Sequence, residues 1–194
     1  MPEEKKLTVL QQFIKDKPIP EDIILKYCDG EKKENALSFI VWLRENKLSP
    51  RFSRSSPNSW EADYKGKSIC ILSLRGAGMV QGDWRIRLNL AHMEAYSETI
   101  MNEGLQEIIW NSVGYCLYSE RSPYFGMAKA PGCSPNKPCR LGETRTVLGK
   151  EIKFCCHGGA GFISPAETTL NGIKKLLELE KQARDETHSK QNRT

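Results

Sequence analysis

The feature that most constrains this chain is a run in which apolar and polar residues strictly take turns. From Asp83 to Leu90, Trp84, Ile86, Leu88 and Leu90 share one side, while Arg85, Arg87 and Asn89 share the other. Successive side chains of a strand point to opposite faces, so the pattern specifies a half-buried strand in a sheet covered on one face only. Two stretches upstream have the same character. Ser59 to Tyr64 leads into the tight turn Lys65-Gly66-Lys67, and Ser68 to Arg75 continues with Ile69 and Ile71 on one face and Cys70, Leu72 and Leu74 on the other. With Gly76 to Gly82 as a glycine-rich connection, the expectation is a three-stranded antiparallel meander.

Helical spacing brackets this meander. Leu7, Leu10, Phe13 and Ile14 form one run, which Pro18-Ile19-Pro20 ends. Glu21 and Asp22 open a second, short helix carrying Ile23, Ile24 and Tyr27, and acidic residues in a first turn complement the positive helix end. A third, from about Lys33 to Asn46, sets Leu37, Phe39, Ile40, Trp42 and Leu43 on its apolar side. After the meander, helical periodicity returns from about Met93 to Met101. Beyond Gly104 a stronger stripe runs through Leu105, Ile108, Ile109, Ser112, Val113 and Cys116. Near the end, Ser164, Pro165 and Glu167 have the spacing of a capping box, followed by Leu170, Ile173, Leu176 and Leu177 as a buried stripe.

Between these helices, from Leu117 to Gly142, periodicity disappears and proline and glycine are dense. A loop of that length in a compact domain is usually functional, ligated or disordered. Five of the seven cysteines fall here or at its borders: Cys116, Cys133, Cys139, Cys155 and Cys156, with His157 adjoining. Thr144 to Leu148 and Glu151 to Cys156 flank Gly149-Lys150 as a β-hairpin. Four thiolate or imidazole ligands around zinc would order such a loop, because the free energy of metal binding offsets an ordering entropy of roughly 1–2 kcal/mol per residue. Against this, Cys133 and Cys139 have five residues between them, and the chain holds no C-x-x-C knuckle. Buried cysteine commonly just fills a core, the expectation for Cys28 and Cys70 and an open alternative for Cys116. Redox or nucleophilic chemistry at the same thiols is the third reading, with Cys133 or Cys155 paired to His92 or His157.

Composition narrows the class. At 194 residues, 27% charged and 39% hydrophobic, the chain has enough apolar residues for an ordinary core and none of the bias of a disordered segment. The start, Met1-Pro2-Glu3-Glu4-Lys5-Lys6, lacks an apolar signal-type region, and no run approaches the roughly 20 apolar residues of a membrane span. A cytoplasmic location with reduced thiols is therefore expected, which favours metal binding or burial over a disulfide framework. The net charge of +5 and pI near 8.8 fall short of a dedicated nucleic-acid domain. Arg75, Arg85 and Arg87 could converge as an anion-binding face, though the solvated side of a half-buried sheet is the preferred reading. Gly76-Ala77-Gly78 is too short for a phosphate loop.

The span from about Asn35 to Leu90 resembles small bacterial proteins of the YdhG-like type, some described as frataxin-like iron handlers. The resemblance rests on Trp42-Leu43-Arg44-Glu45-Asn46, Trp60, Tyr64-Lys65-Gly66-Lys67 and Trp84. It implies a compact α+β fold and a link to metal, and it carries no catalytic residue onto this chain. The sequence thus gives an α+β fold, with helices packed on one face of an antiparallel meander and a cysteine-rich excursion containing a β-hairpin. The expected divisions are a core over 1–116, the excursion over 117–163, a helix docking on the core over 164–182 and a polar tail over 183–194. The expected function is non-enzymatic binding of metal or another ligand, with a structural zinc site drawn from Cys116, Cys133, Cys139, Cys155, Cys156 and His157. A thiol-dependent enzyme or redox sensor, and an anion or nucleic-acid adaptor, are the alternatives. The partner would be a small molecule or a protein, with no membrane involved.

Overall fold

The computed structural model describes residues 15–53, 58–74, 82–112, 144–153 and 161–191. The chain divides into two compact units, Met1–Ile86 and Arg87–Thr194. The architecture is α+β, with a five-stranded antiparallel sheet of order β1 (Arg51–Phe52), β2 (Ser59–Tyr64), β3 (Lys67–Leu74), β4 (Trp84–Leu88), β7 (Phe162–Ile163) and a separate two-stranded sheet of β5 (Thr144–Val147) and β6 (Lys150–Lys153).

In the first unit, α1 (Pro20–Tyr27) begins with proline at its first position, where the absent N–H costs no helical bond, and carries Glu21 and Asp22 in its first turn. Helix α2 (Gly30–Glu45) buries Ala36, Phe39, Ile40 and Leu43. It ends in a Schellman motif. Lys47, at φ 61, donates to the Arg44 carbonyl at 3.1 Å, and the Leu48 N–H reaches back to the Leu43 carbonyl at 2.7 Å. Glycine usually fills that left-handed position; here lysine does, and the buried Leu48 that follows holds the reversal in place.

Strands β2 (Ser59–Tyr64) and β3 (Lys67–Leu74) pair antiparallel from Ser59↔Ser73 to Tyr64↔Lys67, with a bulge between Ala62 and Asp63. Lys65 and Gly66, at φ 50 and 75, form the two-residue turn. Two left-handed residues give the type I′ geometry, whose twist matches that of the strands. The meander is completed by β4 (Trp84–Leu88), where Trp84, Ile86 and Leu88 are buried and Arg87 exposed, as the alternation requires. Helix α2 covers this sheet through Phe39, whose ring centre lies 6.2 Å from that of Trp84. Trp60 is buried too, with its indole N–H donating to the Pro18 carbonyl at 2.8 Å. Each fully buried side chain of this size contributes about 1.5–3 kcal/mol relative to exposure. Edge strand β1 (Arg51–Phe52) adds to β2, and its Phe52 ring meets Trp60 edge-on. Two-residue strands such as β1 and β7 (Phe162–Ile163) are too short to show a period in sequence.

The second unit opens with a 3₁₀ turn (Met93–Tyr96) and α3 (Ser97–Asn102). Another Schellman reversal follows, this time with glycine: Gly104, at φ 69, bonds the Met101 carbonyl, and Leu105 bonds Ile100 at 2.9 Å. Helix α4 (Gln106–Ser112) buries Ile109. The hairpin of β5 (Thr144–Val147) and β6 (Lys150–Lys153) lies where the sequence puts one, but its turn is Leu148-Gly149, one residue earlier. Leu148 and Gly149 have φ 49 and 77, so glycine takes the second left-handed position and leucine is forced into the first.

The last helix, α5 (Glu167–Gln191), buries Leu170, Ile173, Leu176 and Leu177. Its first bond runs from the Leu170 N–H to the Ala166 carbonyl at 2.9 Å, so the helix starts two residues after Pro165, and Ser164 sits upstream at φ 39. The helix also continues past residue 182 into the span that its polarity marks as a tail. Ala183 and Arg184 are buried there, and Thr187 and Ser189 donate to the carbonyls four residues back. The run Leu7 to Ile14, and most of the cysteine-rich excursion, lie outside the described residues.

Candidate functional site

On α5, Glu180 lies three and four residues after Leu177 and Leu176, in phase with the apolar stripe, and is 0% exposed. A charge buried that deeply must be satisfied by partners. Five groups supply them. The Ala91 N–H, His92 Nδ1 and Arg184 Nε approach Oε1 at 3.2, 3.0 and 2.8 Å, while the His92 N–H and the Tyr96 hydroxyl approach Oε2 at 3.1 and 2.8 Å. Arg184, one helical turn on, is buried with it and donates a further bond from Nη2 to the Asn89 carbonyl at 3.1 Å. The carboxylate and guanidinium together therefore clamp the chain leaving β4, residues 89–92, against α5.

Burial alone would raise the Glu180 pKa, but the bonds from His92, Arg184 and Tyr96 outweigh it and hold the carboxyl below the usual carboxylate range. Tyr96 is pushed strongly the other way, by burial and by the Glu180 charge, so it stays a phenol and donates. An ionised carboxylate only accepts hydrogen bonds, so the neutral His92 ring carries its proton on Nδ1 and its lone pair on Nε2. The imidazole is about a quarter exposed, with its side chain at 27%. A buried carboxylate that fixes the tautomer of a partly exposed imidazole is the arrangement by which bases and metal-binding histidines are oriented.

Elsewhere in the second unit, the indole N–H of Trp110 on α4 (Gln106–Ser112) donates to the Val147 carbonyl at 3.0 Å, and the Lys150 ammonium stands 4.8 Å from the centre of the same indole. These contacts dock the β5-β6 hairpin on α4.

Of the residues singled out in sequence, Cys116, Cys133, Cys139, Cys155, Cys156, His157 and Arg75 lie outside the described residues. Among the described residues no group of three or more His, Cys, Asp or Glu side chains is placed to hold a metal ion. Cys28 and Cys70 are buried in the first unit. Burial, helped by Asp29 and Asp83, pushes the Cys28 thiol up, and burial of Cys70 pushes its thiol up to about 12. Arg85 is half-buried and Arg87 exposed. His92 is the one sequence candidate that the described residues build into a site. Glu180, Arg184 and Tyr96 were not singled out in sequence, although the i, i+4 placement of a Glu–Arg pair in line with Leu176 and Leu177 was the available signal.

Comparison with known proteins finds no matching family, no matching curated protein and no matching solved structure. No described helix is long and apolar enough to cross a membrane.

Proposed function

We propose that the chain is a non-enzymatic metal-binding protein, with a structural zinc held by four ligands drawn from Cys116, Cys133, Cys139, Cys155, Cys156 and His157. What carries the reading is the division of the cysteines. Cys28 and Cys70 are sealed in the core with raised thiol pKa values, which suits inert packing. The other five are gathered within one stretch of sequence that has no periodicity of its own, beside a histidine. Thiolate and imidazole are the ligands zinc prefers, and structural sites use four of them. Docking of the β5-β6 hairpin on α4 supports the reading further, because it fixes part of the chain from which ligands would come.

The test is elemental mass spectrometry of protein purified without chelator, together with native thiol titration. About one zinc per chain is expected, with several thiols masked until chelator is added. Cys28 and Cys70 should stay unreactive in both conditions, providing an internal control. Metal-free protein whose other five thiols react freely would sink the reading and favour thiol chemistry.

A further inference from the structure

We propose that His92 is the proton-accepting residue of a binding site on the second unit, with Glu180 as its positioning residue and a weakly acidic hydroxyl as the group it takes. The geometry carries this independently of the zinc reading. Glu180 receives both the backbone N–H and the ring Nδ1 of His92, at 3.1 and 3.0 Å, so one carboxylate fixes the residue's main chain and its ring together. The carboxylate cannot itself be displaced, since Arg184 and Tyr96 hold its two oxygens from α5 and from the 3₁₀ turn. Nδ1–H is thereby committed inward, and Nε2 has no partner among the described residues. A clamp on residues 89–92 needs only the two backbone N–H groups and the Asn89 carbonyl. The ring Nδ1–H helps to hold the Glu180 carboxylate in its charged form, and it leaves the other ring nitrogen with an oriented lone pair on a side chain that remains 27% exposed. A neutral imidazole held this way suits accepting a proton, and a hydroxyl donor satisfies it without requiring a second charged group.

The groups that face the pair are Glu180 and Arg184 from α5 and Tyr96 from the 3₁₀ turn.

The experiment uses the full chain with ¹⁵N-labelled imidazoles. The chain has three histidines, and a His92→Gln variant assigns the resonance. At alkaline pH, His92 should show a protonated Nδ1 and an unprotonated Nε2. Phenol, a hydroxyl probe that keeps its proton at mildly alkaline pH, should move the Nε2 resonance saturably and leave that of His188 in place. Carbethoxylation by diethyl pyrocarbonate, in which the free ring nitrogen attacks a carbonyl and displaces ethyl carbonate, should mark His92 at Nε2. Its rate at His92 should fall several-fold in Glu180→Gln, with His188 unchanged. The opposite tautomer, no response of Nε2 to phenol, or equal carbethoxylation rates in the two proteins each overturns the proposal. The first two readouts are made on the wild-type chain, with His92→Gln used only to assign the resonance, so failure of Glu180→Gln to fold leaves the test intact.

Discussion

Replacing Glu180 by glutamine keeps the volume of the side chain and removes its charge, leaving five donors facing a group that can satisfy only part of them. The amide retains one oxygen and brings two N–H donors of its own, so some of the contacts from Ala91, His92, Tyr96 and Arg184 become donor against donor. Removing one partner of a buried ion pair costs about 3–5 kcal/mol, because the other charge is left uncompensated. Arg184 keeps its bond to the Asn89 carbonyl at 3.1 Å, which places the expected loss near the lower end, about 3 kcal/mol. For a chain of this size that corresponds to roughly 6–12 °C in Tm, at about 2–4 °C per kcal/mol. Denaturant unfolding followed by circular dichroism measures the loss, with hydrogen exchange over residues 89–96 to locate it. Acid provides a second readout. The folded pKa of Glu180 is depressed, so its stabilisation is complete above the unfolded value of about 4.3 and disappears as pH falls through the folded pKa. The gap between wild type and Glu180→Gln should therefore close in acid. A single variant within about 0.5 kcal/mol of wild type would refute the reasoning.

Three further outcomes follow from the packing and the turns. A Cβ on Gly172 of α5 would overlap Ile108 Cδ1 and touch Leu105 Cδ2 at 3.5 Å, so Gly172→Ala should cost about 1–2 kcal/mol despite its better helix propensity. Adding Ile108→Val, which deletes the overlapping methyl, should restore it, and a thermal double-mutant cycle showing no coupling refutes the contact. Leu148 occupies a left-handed turn position at φ 49, so Leu148→Asn should stabilise the hairpin by about 0.5–1 kcal/mol, read as a rise in Tm, whereas Gly149→Ala should lower it. Cys28 and Cys70 should resist a thiol reagent in native buffer and react only at the rate of unfolding; fast native labelling of either contradicts their burial.

The parts of the fold legible in sequence are those with a long period. The alternation at Trp84, Ile86 and Leu88 and the pairing of Ser59–Tyr64 with the next strand follow from side-chain direction alone, and the α2 stripe from helical spacing. The parts that were not legible depend on partners distant in the chain. Leu148 gives no sign of a left-handed backbone; its conformation is imposed by the register Val147↔Lys150. Glu180 and Arg184 look like the start of a solvated helical tail because their partners, Asn89, Ala91, His92 and Tyr96, come from about ninety residues earlier. His92 was visible only as one of several conceivable bases, since a sequence shows that an imidazole exists and not which nitrogen is tied down.

If zinc is held as proposed, the bond from Trp110 to the Val147 carbonyl would bear on its affinity as well as on packing. It joins the two ends of the stretch 113–143, which holds Cys116, Cys133 and Cys139. Bringing together the ends of a chain of about thirty residues costs roughly 3 kcal/mol in closure entropy. A hairpin already docked on α4 meets that cost before any ion arrives, which would raise the effective concentration of ligands drawn from that stretch. If zinc binds there, Trp110→Ala should weaken it by accelerating release, although the indole is no ligand. Affinity would then be set partly by a residue chosen for a hydrogen bond to a turn.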